Sequence, residues 1–337
     1  MNGIISADIG GTNIRIGLFN TDGIIVDKKS TFTFAQKGPH QAMDRLLDLA
    51  IELLNGHPNI DVKSIALSLA GPVDKYSKKL ISPPNLPGWN NISPEILLKE
   101  ILIQSHISIL NNDLEIFSQN DVNLAVFGEY EYGIGKIYNN IIFLSWGTGI
   151  GGGIIIDGKL MIGKNGFAGE IGHILIDPSG PLCNCGLFGC LESFVSGSAL
   201  VKLAMDHINK GKHSLLKDIY TNNNNQLSGE DIVHADFSGD ILAKELLDNA
   251  AWNMGKGIST LKHIFDPDIF IIGGGLSDIF HRLYPIISES VSANSMEFNS
   301  KETLIIPSLL GSDASLYGAA RLAILNGNLI ISHHDLV

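Results

Sequence analysis

The sequence predicts an α/β protein made of two domains with a similar internal plan. The chain has 337 residues, which suggests about two domains at roughly 100–200 residues each. A hydrophobic content of 45% together with 37 glycines is typical of a compact α/β protein with many tight turns. The clearest indication is a repeated pattern, because a strand, a glycine-rich turn and a second strand occur at residues 4–19 and again at 141–156.

Charge and hydropathy exclude several classes of protein. A net charge of −12 disfavours binding to nucleic acid or to an anionic membrane through the overall field. The first residues lack the basic region of a signal peptide, and Asp8 interrupts the first apolar run. The longest uncharged stretch, 137–156, is broken by asparagines and glycines, whereas a spanning helix needs about 20 mostly apolar residues. We therefore expect a cytoplasmic protein with reduced cysteines.

The first glycine-rich turn has the sequence D-I-G-G-T-N and joins strands predicted at 4–8 and 14–19. Glycines in such a turn expose backbone N–H groups and let a phosphate approach them closely. The turn lacks the G-x-x-x-x-G-K pattern of a P-loop, and an ordinary hairpin would look the same. The residues that a phosphate bound at this turn would meet are Asp8, Gly10, Gly11, Thr12 and Asn13.

The next predicted elements are an amphipathic helix at 39–55 and a strand at 64–70. The strand leads into G-P-V-D, which begins at Gly71, and the loop P-P-N-L-P-G-W follows at 83–89. Prolines and glycines leave such a loop little conformational entropy to lose on ordering. Asn85 in this loop is explained equally well by turn formation and by contact with a ligand.

A strand predicted at 114–117 is followed by the sequence N-D-V-N-L-A, which begins at Asn120 and opens a helix that runs to about residue 132. Asp121 lies where the strand meets the helix. An aspartate there is a favourable N-cap. It could equally be the general base that phosphoryl transfer to a hydroxyl group requires. The residues alone leave both interpretations open.

The second glycine-rich turn, G-T-G-I-G-G-G, lies between strands predicted at 141–146 and 154–156. A single hairpin of this kind has little meaning. Two of them, one in each half, are what a protein needs to hold the β- and γ-phosphates from opposite sides. The candidate residues of this turn are Gly147, Thr148, Gly149, Gly151 and Gly152.

All three cysteines lie in the stretch 169–192, together with one histidine and two flanking glutamates, Glu170 and Glu192. Three cysteines and one histidine suit a closed tetrahedral zinc site, and a closed site is structural. Because cysteines bind zinc as deprotonated thiolates, we expect the loop to order only with metal. A disulfide would leave one cysteine over, and C-N-C is too tight for easy bridging. A cysteine-rich turn without a function is the remaining alternative. The candidate metal ligands are His173, Cys183, Cys185 and Cys190.

The last third of the chain carries fewer signals. Helices are predicted at 193–209, 241–265 and 315–325, strands at 268–272 and 304–310, and a polar irregular region at 213–240 with an exposed turn at 222–225. The strand at 268–272 runs into G-G-G-L-S. Gly274 and Gly275 there form either a plain strand–helix turn or a backbone surface against a ligand.

The spacing His-x9-Cys-x-Cys-x4-Cys resembles the signature of the ROK family (repressors, open reading frames and sugar kinases), residue for residue. The resemblance extends from Asp8 to about Ala323. It implies two ribonuclease-H-like domains of the actin-like ATPase type, with the active site in the cleft between them. The expected domains are 1–118, joined by a C-terminal helix at about 313–330, and 119–312 with the zinc loop.

The resemblance also implies an activity and the residues that perform it. The expected reaction is ATP-dependent phosphorylation of glucose at its 6-hydroxyl, with Mg²⁺ and structural Zn²⁺, and Asp121 as general base. Asp8 would orient the metal–phosphate group through water, and Gly274 with Gly275 would lie against the adenosine. The residues expected at the sugar are Gly71, Asn85, Asn120, Asp121, Glu170, His173 and Glu192.

Several alternatives remain at this stage. The substrate could be N-acetylmannosamine, N-acetylglucosamine or fructose, and the phosphate donor could be polyphosphate. The resemblance also leads us to expect a homodimer. A transcriptional repressor of the family would carry a DNA-binding domain ahead of the first hairpin, and a strand predicted from residue 4 argues against one. A catalytically silent sugar sensor is disfavoured by the intact Asp121. Val122, Leu124 and Trp146 depart from the residues usual in the family.

Overall fold

The computed structural model describes residues 1–105, 110, 114–296 and 303–327. Within these residues the chain forms ten strands: β1 (Asn2–Ile9), β2 (Asn13–Asn20), β3 (Ile25–Phe32), β4 (Asp61–Leu69), β5 (Glu115–Asn120), β6 (Ile141–Trp146), β7 (Ile150–Ile156), β8 (Lys159–Leu160), β9 (Ile269–Gly273) and β10 (Ile305–Pro307). The α-helices of the same part of the chain are α1 (Pro39–Gly56), α2 (Pro94–Ser105), α3 (Asp121–Glu131), α4 (Glu192–Val195), α5 (Gly197–Asn209), α6 (Leu215–Asn222), α7 (Gly229–Phe237), α8 (Ile241–Phe265), α9 (Phe280–Asn294) and α10 (Ala314–Ile324).

The chain clusters into two compact units. The first comprises Met1–Asn139, Gly153–Gly169 and the chain from Asp313 onwards, and the second comprises Asn140–Gly152 and Glu170–Ser312. A division into folding domains at 118/119, with a closing helix at about 313–330, stays a prediction, and residues 328–330 of that helix lie outside the described residues.

The first sheet has the strand order β3-β2-β1-β4-β5. β1 pairs antiparallel with β2, β2 antiparallel with β3, and β4 lies parallel to both β1 and β5. Seven of the eight residues of β1 are buried, as expected for a central strand covered on both faces. β3 lies at the edge, and its residues alternate between half-buried and exposed.

Two helix arrangements support this sheet. α1 is amphipathic and buries one face, which includes Met43, Leu46 and Leu53. On α10, a Cβ added to Gly318 would lie 1.8 Å from the carbonyl oxygen of Leu124, and on α3 a Cβ added to Gly128 would lie 2.2 Å from that of Ala314. The two backbones therefore touch, and glycine is required at both positions.

The second sheet has the order β10-β9-β6-β7-β8, with β9 parallel to β6 and to β10. The two mixed five-stranded sheets with helices confirm the predicted α/β class. No helix in the described part of the chain is both long enough and apolar enough to span a bilayer.

Most predicted elements are present, and β6 and α8 have the predicted bounds. The sequence reading missed β3, α2 and α9, and it was wrong about 213–240, which contains α6 and α7. Ser214 and Ser228 cap these two helices, and each helix buries a short apolar face. Because the helices are short and polar, their periodicity covers too few turns to stand out.

Candidate functional site

Most of the polar candidate residues of the first unit lie at the edge of the first sheet where its parallel strands end. β1, β4 and β5 are parallel, so their carboxyl ends lie at one edge. The strand register places Asp8 beside Ser68 and Leu69 beside Asn120. Asp121 follows β5 directly as the first residue of α3. The fold thus brings two carboxylates that are far apart in sequence to neighbouring strand ends.

Asp8 is held in a fixed orientation by two donors. Ser68 Oγ donates to its Oδ1 at 2.6 Å, and Arg15 Nη2 donates to its Oδ2 at 2.5 Å. Asp8 is 9% exposed, so the carboxylate is nearly enclosed. Sequence reasoning missed both partners, although Arg15 could have been found, because a hairpin with its turn at 10–12 pairs Asp8 with Arg15 directly.

Thr33 holds the first glycine turn through hydrogen bonds to its backbone carbonyl groups. Thr33 donates through its backbone N–H to Thr12 O and through Oγ1 to Gly10 O, each at 2.7 Å. A Cβ on Gly11 would lie 2.9 Å from the carbonyl oxygen of Asn85. Thr12 and its neighbour Asn13 are exposed. The carbonyl side of the turn is therefore used by the protein, while Thr12 and Asn13 remain accessible.

The N-cap of α3 is Asn120 rather than Asp121, which corrects the plain interpretation of the aspartate. Asn120 Oδ1 accepts from the N–H groups of Val122 and Asn123, each at 3.0 Å. Asn120 Nδ2 donates to Gly71 O at 3.1 Å and to Asp121 Oδ1 at 3.0 Å. All four hydrogen-bonding positions of this amide are therefore used within the protein, and the aspartate carboxylate is oriented by it.

The wall next to Asn120 is formed by Gly71 and the proline-rich loop. Gly71 has φ +153°, and a Cβ there would lie 2.7 Å from Pro83 Cβ. Its carbonyl is the acceptor for Asn120 Nδ2. Together with the contact between Gly11 and Asn85, this brings all the sugar and nucleotide candidates of the first unit to one edge.

The second glycine turn is shorter than the sequence suggested. The Gly147 N–H donates to Gly149 O at 3.1 Å, and β7 begins at Ile150. Gly151 and Gly152 thus lie in a strand, and the prediction that the strand starts at residue 154 was wrong. The extended turn was expected because glycines are read as breakers, but here they sit inside a sheet.

Gly274 and Gly275 lie against this turn. Gly274 has φ +84°, and a Cβ on it would lie 2.5 Å from the carbonyl oxygen of Trp146. A Cβ on Gly147 would lie 4.0 Å from Gly275 N. The glycine candidates of the second unit are therefore close together, and a side chain at Gly274 has no room.

The four candidate metal ligands come together in the second unit. One ligand atom from each of His173, Cys183, Cys185 and Cys190 lies within 4.8 Å of the other three. His173 Nδ1 is 3.7 Å from Cys183 Sγ, and Cys185 Sγ is 3.6 Å from Cys190 Sγ. A zinc ion with bonds of about 2.3 Å to sulfur requires tetrahedral edges of about 3.8 Å. The cluster fits such an ion, and these sulfur separations exclude a disulfide.

The thiol groups differ in their environments. Burial raises the pKa of Cys183 to about 12, whereas the backbone N–H of Leu187 lowers the pKa of Cys185. A divalent cation reverses the effect of burial, because coordination deprotonates a thiol. The three thiols and the histidine are therefore consistent with a bound metal ion whose positive charge would stabilise a partly buried thiolate.

The two flanking glutamates have different surroundings. Glu192 Oε2 accepts from the Ile150 N–H at 2.9 Å, and its Oε1 lies 3.8 Å from Cys183 Sγ. Glu170 is exposed as a whole residue, yet desolvation at its carboxyl raises its pKa. The nearby His173 opposes that rise and Glu192 adds to it. Since His173 meets the cluster through Nδ1, its Nε2 is available on the other side of the ring.

The comparisons with known proteins agree with this arrangement. The model of the ROK family matches residues 4–325. A glucokinase of Streptomyces coelicolor is 33% identical over 322 residues, which cover 95% of this chain and 96% of that protein. A xylose repressor of Bacillus subtilis is 27% identical over 319 residues, 92% of this chain and 76% of the repressor.

A solved structure shares the fold. It is the crystal structure of a ROK family glucokinase from Streptomyces griseus in complex with glucose and AMPPNP. It matches with a TM-score of 0.78 and 30% identity, over 95% of this chain and 98% of that one. This likeness confirms the predicted fold of two ribonuclease-H-like domains of the actin-like ATPase type.

Proposed function

The chain belongs to the ROK family, and from that premise we propose that it is an ATP-dependent hexokinase that phosphorylates glucose at the 6-hydroxyl. The observation that carries the proposal is the orientation of Asp121 by Asn120, which itself caps α3. A general base must be held within hydrogen-bond reach of the hydroxyl it deprotonates. Because the cap is supplied by its neighbour, Asp121 is placed at a helix start without serving as the N-cap.

In this mechanism Asp121 accepts the proton of the 6-hydroxyl as that oxygen attacks the γ-phosphorus. The bond between the γ-phosphorus and the β–γ bridging oxygen breaks, and ADP leaves. Phosphoryl transfer depends mainly on positioning and on electrostatic stabilisation. Asp8, held by Ser68 and Arg15, would orient the Mg²⁺–phosphate group through water. The magnesium ion would neutralise charge on the transferred phosphoryl group. The turn at 10–13 would contact the phosphates through Thr12 and Asn13.

The second unit would supply the remaining contacts. The turn at 147–149 would bind the phosphates, and Gly274 with Gly275 would accommodate the adenosine. Glu170, Glu192 and the Nε2 of His173 would bind hydroxyl groups of the sugar. Zinc at the three cysteines and His173 Nδ1 would keep the loop between the glutamates folded. Gly71 and Asn85 complete the sugar contacts in the proposal.

The relatives support a sugar kinase. The protein from Streptomyces coelicolor is called a glucokinase, and the Streptomyces griseus structure holds glucose and an ATP analogue. Both matches cover nearly all of this chain. Glucose is therefore the leading substrate in the proposal, with N-acetylmannosamine, N-acetylglucosamine and fructose as the alternatives to be measured beside it.

The test is ADP release from Mg-ATP with a panel of these sugars and mannose, for wild type and for Asp121→Asn. We expect fastest turnover on glucose and a loss of roughly 10²–10⁴-fold in kcat for the variant, the usual contribution of a general base. Mg-ADP binding should be unchanged. Asp61→Asn, at an exposed aspartate that pairs with Lys63, is the matched control and should behave like wild type.

Two outcomes would change the proposal. Faster turnover on an N-acetylated sugar would retain the mechanism and replace the substrate. No turnover on any sugar, with sugar binding intact, would favour a sugar-responsive regulator. We retain the sugar-responsive regulator as a second candidate because the chain is similar to a xylose repressor.

A further inference from the structure

A short segment directly after the third cysteine holds the second glycine turn. We name residues 192–198 the brace and residues 146–150 the phosphate loop. Both lie in the second unit. Four hydrogen bonds join them: Trp146 Nε1 to Val195 O at 2.7 Å, Gly197 N to Gly147 O at 2.9 Å, Ser198 N to Thr148 O at 3.2 Å, and Ile150 N to Glu192 Oε2 at 2.9 Å. The brace therefore contacts the phosphate loop at both ends and in its centre.

Trp146 makes the most enclosed of these contacts. Its side chain is fully buried, and its indole N–H donates to the carbonyl oxygen of Val195, the last residue of α4. A buried indole N–H normally has a partner, and a carbonyl at the end of a helix lacks one within the helix. Each group thus satisfies the other. The tryptophan, which departs from the aliphatic residue usual in the family, has a defined role in fixing the loop.

Glu192 makes the contact at the other end of the phosphate loop. Its Oε2 accepts from the Ile150 N–H, and a Cβ on Gly149 would lie only 2.8 Å from that oxygen. At the carbonyl group of the same residue, a Cβ on Gly172 would lie 2.4 Å from Ile150 O. Glu192 is two residues after Cys190, and Gly172 precedes His173. The end of the phosphate loop is therefore held between two segments that carry metal ligands.

From these contacts we propose that Trp146 and Glu192 are positioning residues that couple the metal cluster to the phosphate loop. The inference rests on the proposed function, since it assigns the loop to the nucleotide. Metal binding orders the segments that include Gly172 and the start of the brace. Those segments then fix the backbone of the phosphate loop. The metal cluster would thereby determine nucleotide affinity as well as support the sugar contacts.

Trp146→Phe tests the brace, because it keeps an aromatic ring at this buried position but removes the N–H donor together with the five-membered ring that carries it. Loss of the buried hydrogen bond to Val195 should leave the phosphate loop less rigidly held. We expect the affinity for the nucleotide to fall roughly three- to tenfold. The KM for ATP and the Kd for Mg-ADP should rise by that factor, while the KM for sugar stays within about twofold of wild type. Trp252→Phe in α8 makes the same chemical change outside the brace and is the matched control.

Two substitutions of Glu192 separate its contact with the loop from its contact with sugar. Glu192→Gln retains an oxygen that can accept from Ile150 N–H, so Mg-ADP affinity should stay near that of wild type even if the KM for sugar rises. Glu192→Ala removes the acceptor and should weaken Mg-ADP binding roughly threefold or more. Equal Mg-ADP affinity in the two variants would contradict the positioning role.

The coupling to the metal is tested by Mg-ADP titration calorimetry without turnover. Wild type treated with a zinc chelator and Cys185→Ser, with folding checked by circular dichroism, should both bind Mg-ADP less tightly than zinc-loaded wild type by a factor of about ten or more. Unchanged affinity in folded, zinc-free protein would overturn the inference. Unchanged affinity in Trp146→Phe would do the same. If zinc-loaded wild type itself does not bind Mg-ADP, the proposed kinase function fails instead.

Discussion

At the scale of single residues, the arrangement around Asp121 depends on the amide beside it. Asn120 accepts two backbone hydrogen bonds as the N-cap of α3, and it donates to Gly71 O and to Asp121. One side chain therefore fixes the helix start, the adjoining wall and the carboxylate. The assignment of Asn120 to the sugar stays a prediction, and a sugar contact would have to replace one of these bonds.

Asn120→Ser and Asn120→Ala separate capping from orientation. Serine caps a helix about as well as asparagine, so the free energy of unfolding of Asn120→Ser should lie within about 1 kcal/mol of the wild-type value. The alanine variant should be less stable than the serine variant by about 1 kcal/mol. Both lack the amide Nδ2 group that donates to Asp121, and both should lose roughly tenfold or more in kcat. Urea denaturation and steady-state kinetics measure the two effects. A rise in the KM for sugar with unchanged kcat would instead assign Asn120 to the substrate.

Some of these residue roles could be read from the sequence and others could not. The proximity of the four candidate metal ligands could be predicted from their spacing, because short separations in sequence favour short distances. The identity of the N-cap could not be read, since Asn120 and Asp121 are both good caps and only the backbone angles decide between them. Nothing local in the sequence indicated the acceptor of the Trp146 indole, which lies 49 residues further along the chain.

At the scale of elements, the loop at 173–190 brings its four candidate ligand side chains together. Cys183 and Cys190 are buried, while Cys185 is exposed. Backbone bridges pair Leu182 with Phe188 and Leu175 with Cys190, so the ligands are held on a small antiparallel framework. Several apolar residues of this loop, among them Leu175, Leu187 and Phe188, are exposed. A hydrophobic core is thus not what folds it, and a metal would supply the missing stability.

Metal analysis of purified protein should find about one zinc per chain. Replacing Cys185, the exposed ligand, with serine should remove the zinc and lower the melting temperature, because the energy of metal binding to such a loop is folding energy. Inductively coupled plasma mass spectrometry and calorimetry give the two values. Zinc-free wild type in which all three thiols react with a thiol reagent in the native state would contradict a closed metal site.

The crossing of α3 and α10 positions the element that carries Asp121. Gly318→Ala should destabilise the protein by about 1–3 kcal/mol, the usual cost of overpacking, because the added Cβ meets the backbone of α3. Gly56→Ala at the end of α1, where nothing lies within 4 Å, is the matched control. It should be neutral or stabilising by up to about 1 kcal/mol. Equal urea midpoints for the two variants would show that the helices do not touch as described.

The segment 213–240 shows where pattern reasoning fails at this scale. Its two helices are short, and their stability comes from caps and from long-range contacts that the sequence does not announce. Arg282 of α9 forms ion pairs with Asp236 at 2.8 Å and with Asp248 at 2.6 Å, which ties α7 to α8 and α9. Those three residues lie on three different helices, so the network becomes visible only in the fold.

At the scale of the whole molecule, the duplicated strand–turn–strand pattern predicted the architecture. Each glycine turn follows the first strand of a five-stranded mixed sheet. The edge strand β3 and helices α2 and α9 were not predicted, because their sequences alternate weakly or carry mixed apolar and polar residues. The choice of hexose could not be predicted either, since it depends on contacts around the sugar ring rather than on any motif.

The central claim is transfer of the γ-phosphate to the 6-hydroxyl of glucose, and the most direct measurement is identification of the product. Zinc-loaded protein is incubated with Mg-ATP and glucose, and the mixture is followed by phosphorus and proton magnetic resonance. We expect one phosphomonoester per ADP, with its phosphorus coupled to the protons on carbon 6. Phosphate on another oxygen, or ATP consumed with release of inorganic phosphate alone, would show that the protein is not a 6-kinase of glucose.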